Sequence, residues 1–222
     1  MSTKKLFWED PYQTECKAKV TSIDGNKVKL DQTIFFAFSG GQESDSGTIA
    51  GYNVLNAVKL GDKENIIDIE YELELKESGE SINLKVGDEI EVKIDAEKRM
   101  KLMKLHSAAH AVYYFMIEAI GKHKIIGSNI TSDKARVDFA YEKSIGEVLL
   151  EVEEKVNVFM AEGHAIESKD DENNPDLKWW TCSGWKMPCG GTHVKNTSEI
   201  GNIQLKRKNL GAGKERVEVL LI

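Results

Sequence analysis

Leu102-Met-Lys-Leu105-His106-Ser-Ala-Ala-His110-Ala-Val112-Tyr-Tyr-Phe115-Met116 sits near the middle of a chain of 222 residues, and its reading decides how the rest divides. Asp95 is a candidate N-cap and Gly121 a candidate stop, with few breakers between, so the spacing predicts a helix. Leu102, Leu105, Ala109, Val112, Phe115, Met116 and Ala119 fall near helical spacing and form an apolar stripe. His106 and His110 are one turn apart, so both imidazoles leave the same face.

Ahead of this helix the pattern has period two. Residues 16–23, 27–30, 54–60, 66–75 and 89–94 are short alternating or β-branched runs. Asp24-Gly25-Asn26, Gly61-Asp62 and Gly87-Asp88 separate them as turn signals. This predicts a small β-barrel over 1–95. Behind the helix the order is mixed: strand-like stretches at 124–131, 135–139, 164–169, 200–207 and 216–222, and a helix over 144–162 that Ser144 and Glu147 would open as a capping box. The class is α+β, with residues 96–222 forming an antiparallel sheet flanked by helices.

Composition narrows the function classes. No apolar run approaches the roughly twenty residues of a membrane span, and Met1-Ser-Thr-Lys-Lys lacks the apolar core of a signal peptide, so a cytoplasmic protein is expected. A net charge of −7 argues against coating nucleic acid by bulk attraction, while leaving room for a local basic patch. Three widely spaced cysteines do not make a disulfide framework, and metal binding is the better use for one of them.

That cysteine is in Cys189-Gly-Gly-Thr-His193, which repeats the spacing of the helical histidine pair in a glycine-rich turn. A chain with few histidines has placed three of them, with one cysteine, in two matching pairs; this is a usual zinc ligand set. One Zn2+ per chain is expected on His106, His110, Cys189 and His193. With all four bound the site is closed and structural; with one weak or displaced, a position opens for water or substrate.

Phe35-Phe-Ala-Phe38-Ser39-Gly40-Gly41-Gln42, followed by Asp45-Ser46-Gly47, is too glycine-rich for a simple strand. It reads either as a tight turn whose phenylalanines serve the barrel core, or as a loop whose Gly40 and Gly41 N–H groups and Gln42 amide face a ligand. In the second reading Ser39 to Gln42 lies between the barrel and the following domain and faces the metal. Trp179, Trp180 and Trp185 precede the Cys189 turn and read first as core, and the acidic stretch 170–175 reads as a solvated loop. Near the C-terminus, Lys206-Arg207-Lys208, Lys214 and Arg216 flank Gly211-Ala-Gly213, giving a basic hairpin tip suited to phosphate contacts or simply to solvent. Lys195 is a further candidate cation close to His193.

Taken in order, His106-Ser-Ala-Ala-His110, Gly127-Ser-Asn-Ile, Arg136-Val-Asp-Phe139, Cys189-Gly-Gly-Thr-His193 and Glu199-Ile-Gly201 resemble the editing domain of alanyl-tRNA synthetases and its freestanding relatives of AlaX type. Ser39-Gly-Gly-Gln42 with Asp45-Ser-Gly47 looks like the glycine-rich motif of the medium-sized members. The resemblance covers nearly all the chain. It implies a trans-acting hydrolase that deacylates tRNA(Ala) mischarged with serine, and by extension glycine. His106, His110, Cys189 and Gln42 would be catalytic, and Ser39, Gly40, Gly41, Gln42, Ser128 and Thr192 would touch the substrate. Lys195, Lys206, Arg207, Lys208, Lys214 and Arg216 would touch the tRNA. Neither a membrane nor an obligate protein partner is expected. A similar constellation occurs in threonyl-tRNA editing, so threonine-type editing, a zinc-dependent esterase of small molecules and a non-catalytic zinc-stabilised RNA-binding module stand as alternatives.

Overall fold

The computed structural model describes residues 2–61, 66–75, 81–174 and 177–222. Asp62 of one turn signal and Pro175 of the acidic loop lie outside the described residues. The fold is α+β, with mostly antiparallel sheets and two α-helices. Contacts divide the chain into two units. One comprises Met1–Ser39, Glu43–Met100 and Asp170–Leu177; the other comprises Gly40–Gln42, Lys101–Lys169 and Lys178–Ile222.

The first unit contains β1 (Glu15–Asp24), β2 (Lys27–Leu30), β3 (Gly47–Ile49), β4 (Tyr52–Gly61), β5 (Ile66–Leu73) and β6 (Glu89–Ile94). They pair antiparallel in the closed order β1-β2-β5-β4-β3-β6 and back to β1. The alternation of β6 sends Ile90, Val92 and Ile94 inward, where they meet Ala18, Val20, Val28, Leu30, Ile69, Tyr71 and Leu73. Each large apolar side chain buried this way contributes about 1.5–3 kcal/mol. Phe35 and Phe36 are also buried in this core, as the turn reading of their stretch expects, whereas Phe38 is 59% exposed.

β3 was not anticipated. It is three residues long and begins at a glycine, so it has no pattern to read. Its pairing explains the glycine: a Cβ at Gly47 would come within 2.1 Å of the Lys93 carbonyl oxygen on β6.

Helix α1 (Ala96–Ile120) starts and stops where the sequence predicts. The Lys98 N–H donates to Asp95 Oδ1 (3.0 Å), and Gly121, at φ +85°, donates to the Ile117 carbonyl (3.0 Å). The second unit adds β7 (Ile125–Ile130), β8 (Ala135–Ala140), α2 (Gly146–Ala161), β9 (Ile166–Asp170), β10 (Lys178–Cys182), β11 (Trp185–Pro188), β12 (Ile203–Gly211) and β13 (Lys214–Leu221). The order β12-β13-β8-β7 makes an antiparallel sheet, and β9-β10-β11 a smaller one. Leu149, Val152, Val156 and Met160 are the buried stripe of α2, which packs against β12.

The expected capping box at Ser144 is not formed. The Ser144 hydroxyl accepts from the Gly146 N–H instead (3.1 Å), closing a local turn, and the helix begins behind Ile145 without a side-chain cap. A capping box does form at Asn196 and Glu199, on a single 3-10 turn. Among the described residues no helix is long and apolar enough to cross a membrane.

Candidate metal centre

His106 and His110 project from one face of α1 with rings stacked 4.8 Å apart. The turn after β11 brings Cys189 and His193 to them, so that one ligand atom of each of the four residues lies within 4.8 Å of the other three. His110 Nε2 is 3.2 Å from His193 Nε2, and Cys189 Sγ is 3.5 Å from both His106 Nε2 and His193 Nε2. A tetrahedral ion with metal–nitrogen bonds of about 2.05 Å and a metal–sulfur bond of about 2.3 Å requires separations of about 3.3 Å and 3.6 Å. These three separations match a tetrahedral ion, and the four donors, all within 4.8 Å of one another, would draw together slightly to complete its shell.

Protonation is consistent with ligation. Burial pushes the His106 imidazole down to about 4. His110 and His193 are lowered by burial first and by the neighbouring imidazoles second. All three rings are thus neutral at pH 7, the state in which nitrogen can bind a metal.

Gln42 fixes the tautomer of His106. Its Nε2 donates to Thr192 Oγ1 (2.9 Å) and its Oε1 accepts from the Thr192 N–H (3.0 Å), which sets which end of the amide faces the imidazole. The Oε1 then lies 2.7 Å from His106 Nδ1, so the proton resides on Nδ1 and the Nε2 lone pair faces the cluster. Gln42 is itself placed by pairing with β7. The Ile130 N–H and Asn129 Nδ2 both donate to the Gly41 carbonyl (2.7 and 3.0 Å), and a Cβ at Gly41 would press on the Ser128 carbonyl at 2.7 Å. Gly191 has the same kind of role: a Cβ there would meet His106 Cε1 at 2.3 Å and Gln42 Oε1 at 2.6 Å. Between the two helical ligands, Ser107 Oγ accepts from the Val194 N–H (3.2 Å), tying the Cys189 turn to α1.

His106, His110 and Cys189 of the cluster line a cavity of about 720 Å³. Ala109, Tyr113, Tyr114 and Ile117 of α1, Ile125, Ser128 and Ile130 of β7, Val137 of β8, and Lys186, Met187 and Pro188 of β11 line it, together with Gly40 and Lys122.

The family described as "Threonyl and Alanyl tRNA synthetase second additional domain" matches residues 181–218, and that described as "tRNA synthetases class II (A)" matches residues 4–98. The alanyl-tRNA editing protein AlaX-M of Pyrococcus horikoshii is 36% identical over 224 residues, covering 99% of this chain and 98% of that protein. The chain belongs to the AlaX-M family of alanyl-tRNA editing proteins. Alanine–tRNA ligases also match: that of Campylobacter jejuni subsp. jejuni is 31% identical over 94% of the chain, and that of Methanococcus vannielii 32% over 97%. The chain spans about a quarter of the ligases' length, 27% and 26% respectively.

In this chain the structure brings together the two histidine-bearing pairs and Gln42, and it puts Gly40 and Ser128 on the cavity wall. Gln42 and Thr192 are buried and bonded to each other, and neither is on the cavity wall. Gln42 reaches the cluster through its bond to His106. Ser39, in the other unit, is also absent from the lining.

The cations of the basic tip differ in their partners. Arg207 makes a two-pronged ion pair to the buried Glu215 (2.7 and 2.6 Å), and Arg216 one to the buried Asp138 (2.7 and 3.0 Å), so both guanidinium forks are occupied within the sheet. Lys206, Lys208 and Lys214 are exposed and form no direct ion pair among the described residues, and Lys208 acts on Glu218 only through its field. Lys195 is exposed, with its N–H donating to Glu199.

Trp180 is core, stacked on His110 at 4.7 Å. Sequence reasoning missed Gly191, Tyr113, Lys122 and Lys186. Gly191 carried a signal, since a glycine between two ligands marks close backbone approach. Tyr113 also did, standing seven residues after His106 on the same helical face.

Proposed function

We propose that this chain is a zinc-dependent, trans-acting deacylase that hydrolyses the ester of tRNA(Ala) wrongly charged with serine, and also with glycine. Residues 96–222 would be the editing domain, and residues 1–95 a barrel domain bearing the glycine-rich loop. The observation that carries this reading is the convergence of three neutral imidazoles and one thiol beside a largely apolar cavity. It is supported by membership in the AlaX-M family.

His106, His110 and Cys189 would hold the zinc, with His193 as the fourth ligand. Bound there, zinc supplies Lewis acidity towards the ester carbonyl or a water acidic enough to attack at neutral pH. The chain's own groups do the rest. Gln42 holds the proton on His106 Nδ1, and the apolar wall of Ile125, Ile130 and Val137 limits bulk water around the ester. The Ser128 hydroxyl, beside Gly41, offers a partner to a seryl hydroxyl. Serine differs from alanine by that hydroxyl alone, and a pocket sized for alanine rejects the addition only weakly, which makes a second, hydroxyl-reading site necessary. Alanine would leave such a partner unpaired. Exposed Lys206, Lys208 and Lys214 are the cations available for phosphate contacts.

The test is deacylation of purified Ser-, Gly- and Ala-tRNA(Ala). Seryl ester should be cleaved and alanyl ester spared. Equal rates on the two would refute proofreading, and cleavage of a free seryl ester without preference for the tRNA would favour a small-molecule esterase.

A further inference from the structure

The two faces of the sheet β12-β13-β8-β7 differ in kind. Alternation turns Leu205, Val217, Val219 and Val137 inward, on the side where Val137, Ser128 and Ile130 line the cavity. The positions between them stand on the opposite face, and register sets them in two rows. Lys206, Glu218, Arg136 and Asn129 are successive partners across the four strands, and Lys208, Arg216, Asp138 and Gly127 are the next. Lys134 joins the first row by donating to Glu218 (2.7 Å). In a chain of net charge −7, cations outnumber acids here. The Glu218 carboxyl registers that field: it is held below its ordinary value by the Lys134 hydrogen bond first, then by the charges of Lys134, Lys208 and Arg216.

The acid at the centre aims the cations. Asp138 is buried, and it accepts from Arg216 Nε (2.7 Å) and Nη2 (3.0 Å) and from Arg136 Nη1. Gly127 makes room for this arrangement, since a Cβ there would stand 3.1 Å from Asp138 Oδ2 and 3.4 Å from Arg136 Nη1. A carboxylate gripped by two guanidinium groups fixes the planes of both. Arg136 keeps Nε and Nη2 without a partner among the described residues. Those two groups form the fork that grips phosphate oxygens in pairs. Lys206 and Lys208 are exposed beside it. Neither row holds an aromatic or large apolar side chain. The face therefore offers no platform for unpaired bases and no apolar centre for a protein interface.

We infer that this outward face of the sheet is a docking surface for the phosphate backbone of double-stranded RNA, with the Arg136 fork, Lys206 and Lys208 on phosphate oxygens. Such contacts position the duplex without reading its sequence. The choice of RNA over DNA, and of a tRNA stem in particular, rests on the deacylase reading; the polyanion site does not.

The test is fluorescence anisotropy of a short blunt RNA duplex, which carries neither an ester nor an overhang, against the zinc-loaded full chain from about 50 to 200 mM salt. The duplex should bind more tightly than its own single strand. Lys206→Ala with Lys208→Ala should weaken it about three- to tenfold and lower the salt slope by roughly 1–2. Arg136→Gln should weaken it about threefold, and Arg136→Lys should keep the slope while losing part of the affinity. Lys17→Ala, on a barrel strand, should change nothing. No binding at about 0.1 mM protein in the lowest salt, or binding indifferent to Arg136, Lys206 and Lys208, overturns the surface. Tighter binding of a DNA duplex or of polyglutamate overturns the choice of RNA. Duplex binding with these dependences in a protein that leaves Ser-tRNA(Ala) intact would keep the surface and sink the deacylase; deacylation without duplex binding would do the reverse.

Discussion

Two buried polar clusters, one from each unit, are finished differently. In the first unit Arg99 and Asp45 lie within the core, and their hydrogen bonds are closed. Arg99 Nε donates to Asp45 Oδ1 (2.9 Å), Nη1 to the Pro11 carbonyl (2.8 Å), and Nη2 to the Ile34 carbonyl (2.6 Å) and to Asp45 Oδ2. The same Oδ2 accepts from the Phe36 N–H (2.7 Å). In the second unit three imidazoles and a thiol direct their donor atoms at one point, and His193 Nδ1 and Trp180 Nε1 are buried without a partner among the described residues. A cluster that only supports a fold satisfies itself. One that leaves lone pairs converging is shaped for something else to complete it.

The largest effect should come from opening the second cluster further. Cys189→Ala is expected to reduce deacylation to background and to lower metal content well below one ion per chain, with the circular dichroism spectrum unchanged. Full metal occupancy in that variant would mean that the four donors do not act as one site.

Opening the closed cluster should cost stability instead. Arg99→Ala leaves the Asp45 carboxylate buried without its cation and is expected to destabilise the protein by about 3–5 kcal/mol in urea unfolding, with the Arg99→Met, Asp45→Leu pair recovering most of the loss. A single-variant cost near zero would erase the contrast between the clusters.

Acid separates the metal-free protein from the loaded one. His106 is held down to about 4 in the folded state, so between that value and the ordinary 6.5 the unfolded chain binds the proton and the folded chain does not. Stability is complete above pH 6.5 and falls as the pH drops, by up to roughly 3 kcal/mol for this ring alone. Urea midpoints of chelator-treated protein at pH 7 and pH 5 would show the decline, and midpoints rising toward pH 5 would contradict it.

A smaller effect tests the amide bonded to His106. Gln42→Ala should weaken metal affinity about 10- to 100-fold in chelator competition, because the His106 tautomer is no longer imposed. Unchanged affinity would reduce Gln42 to packing.

The smallest effect lies on the surface, where the same distinction recurs. Lys206→Ala with Lys208→Ala is expected to lower the salt slope of tRNA binding by roughly 1–2 and leave amino-acid preference intact. An unchanged slope would place the tRNA elsewhere.

The sequence made much of this legible where period and spacing carry the information. Asp95 and Gly121 bracket α1 as read, and the two pairs of candidate ligands converge because i, i+4 spacing places two on one helical face and a glycine turn presents the others. What escaped depends on contacts distant in sequence. Gln42 lies 64 residues from His106, and nothing local distinguishes an amide facing substrate from one facing an imidazole. Arg207 and Arg216 read as cations for phosphate or solvent because their partners, Glu215 and Asp138, are set by strand register. Ser144 looked like a cap because spacing does not reveal that a hydroxyl will bond two residues on rather than three.

β12 is the outer strand of its sheet, bonded to β13 on one side only. Its other edge is covered at Ile203 and Leu205, where Asn157 and Glu153 of α2 bond the backbone; the stretch beyond is where a second chain could extend the sheet, the route by which sheet proteins aggregate. Lys206, Arg207 and Lys208 stand consecutively on that strand, and lysines on an exposed edge oppose such pairing. These cations therefore guard solubility whether or not they meet RNA. Variants that remove them should be compared at low protein concentration, or built with glutamate, so that self-association is not taken for lost affinity.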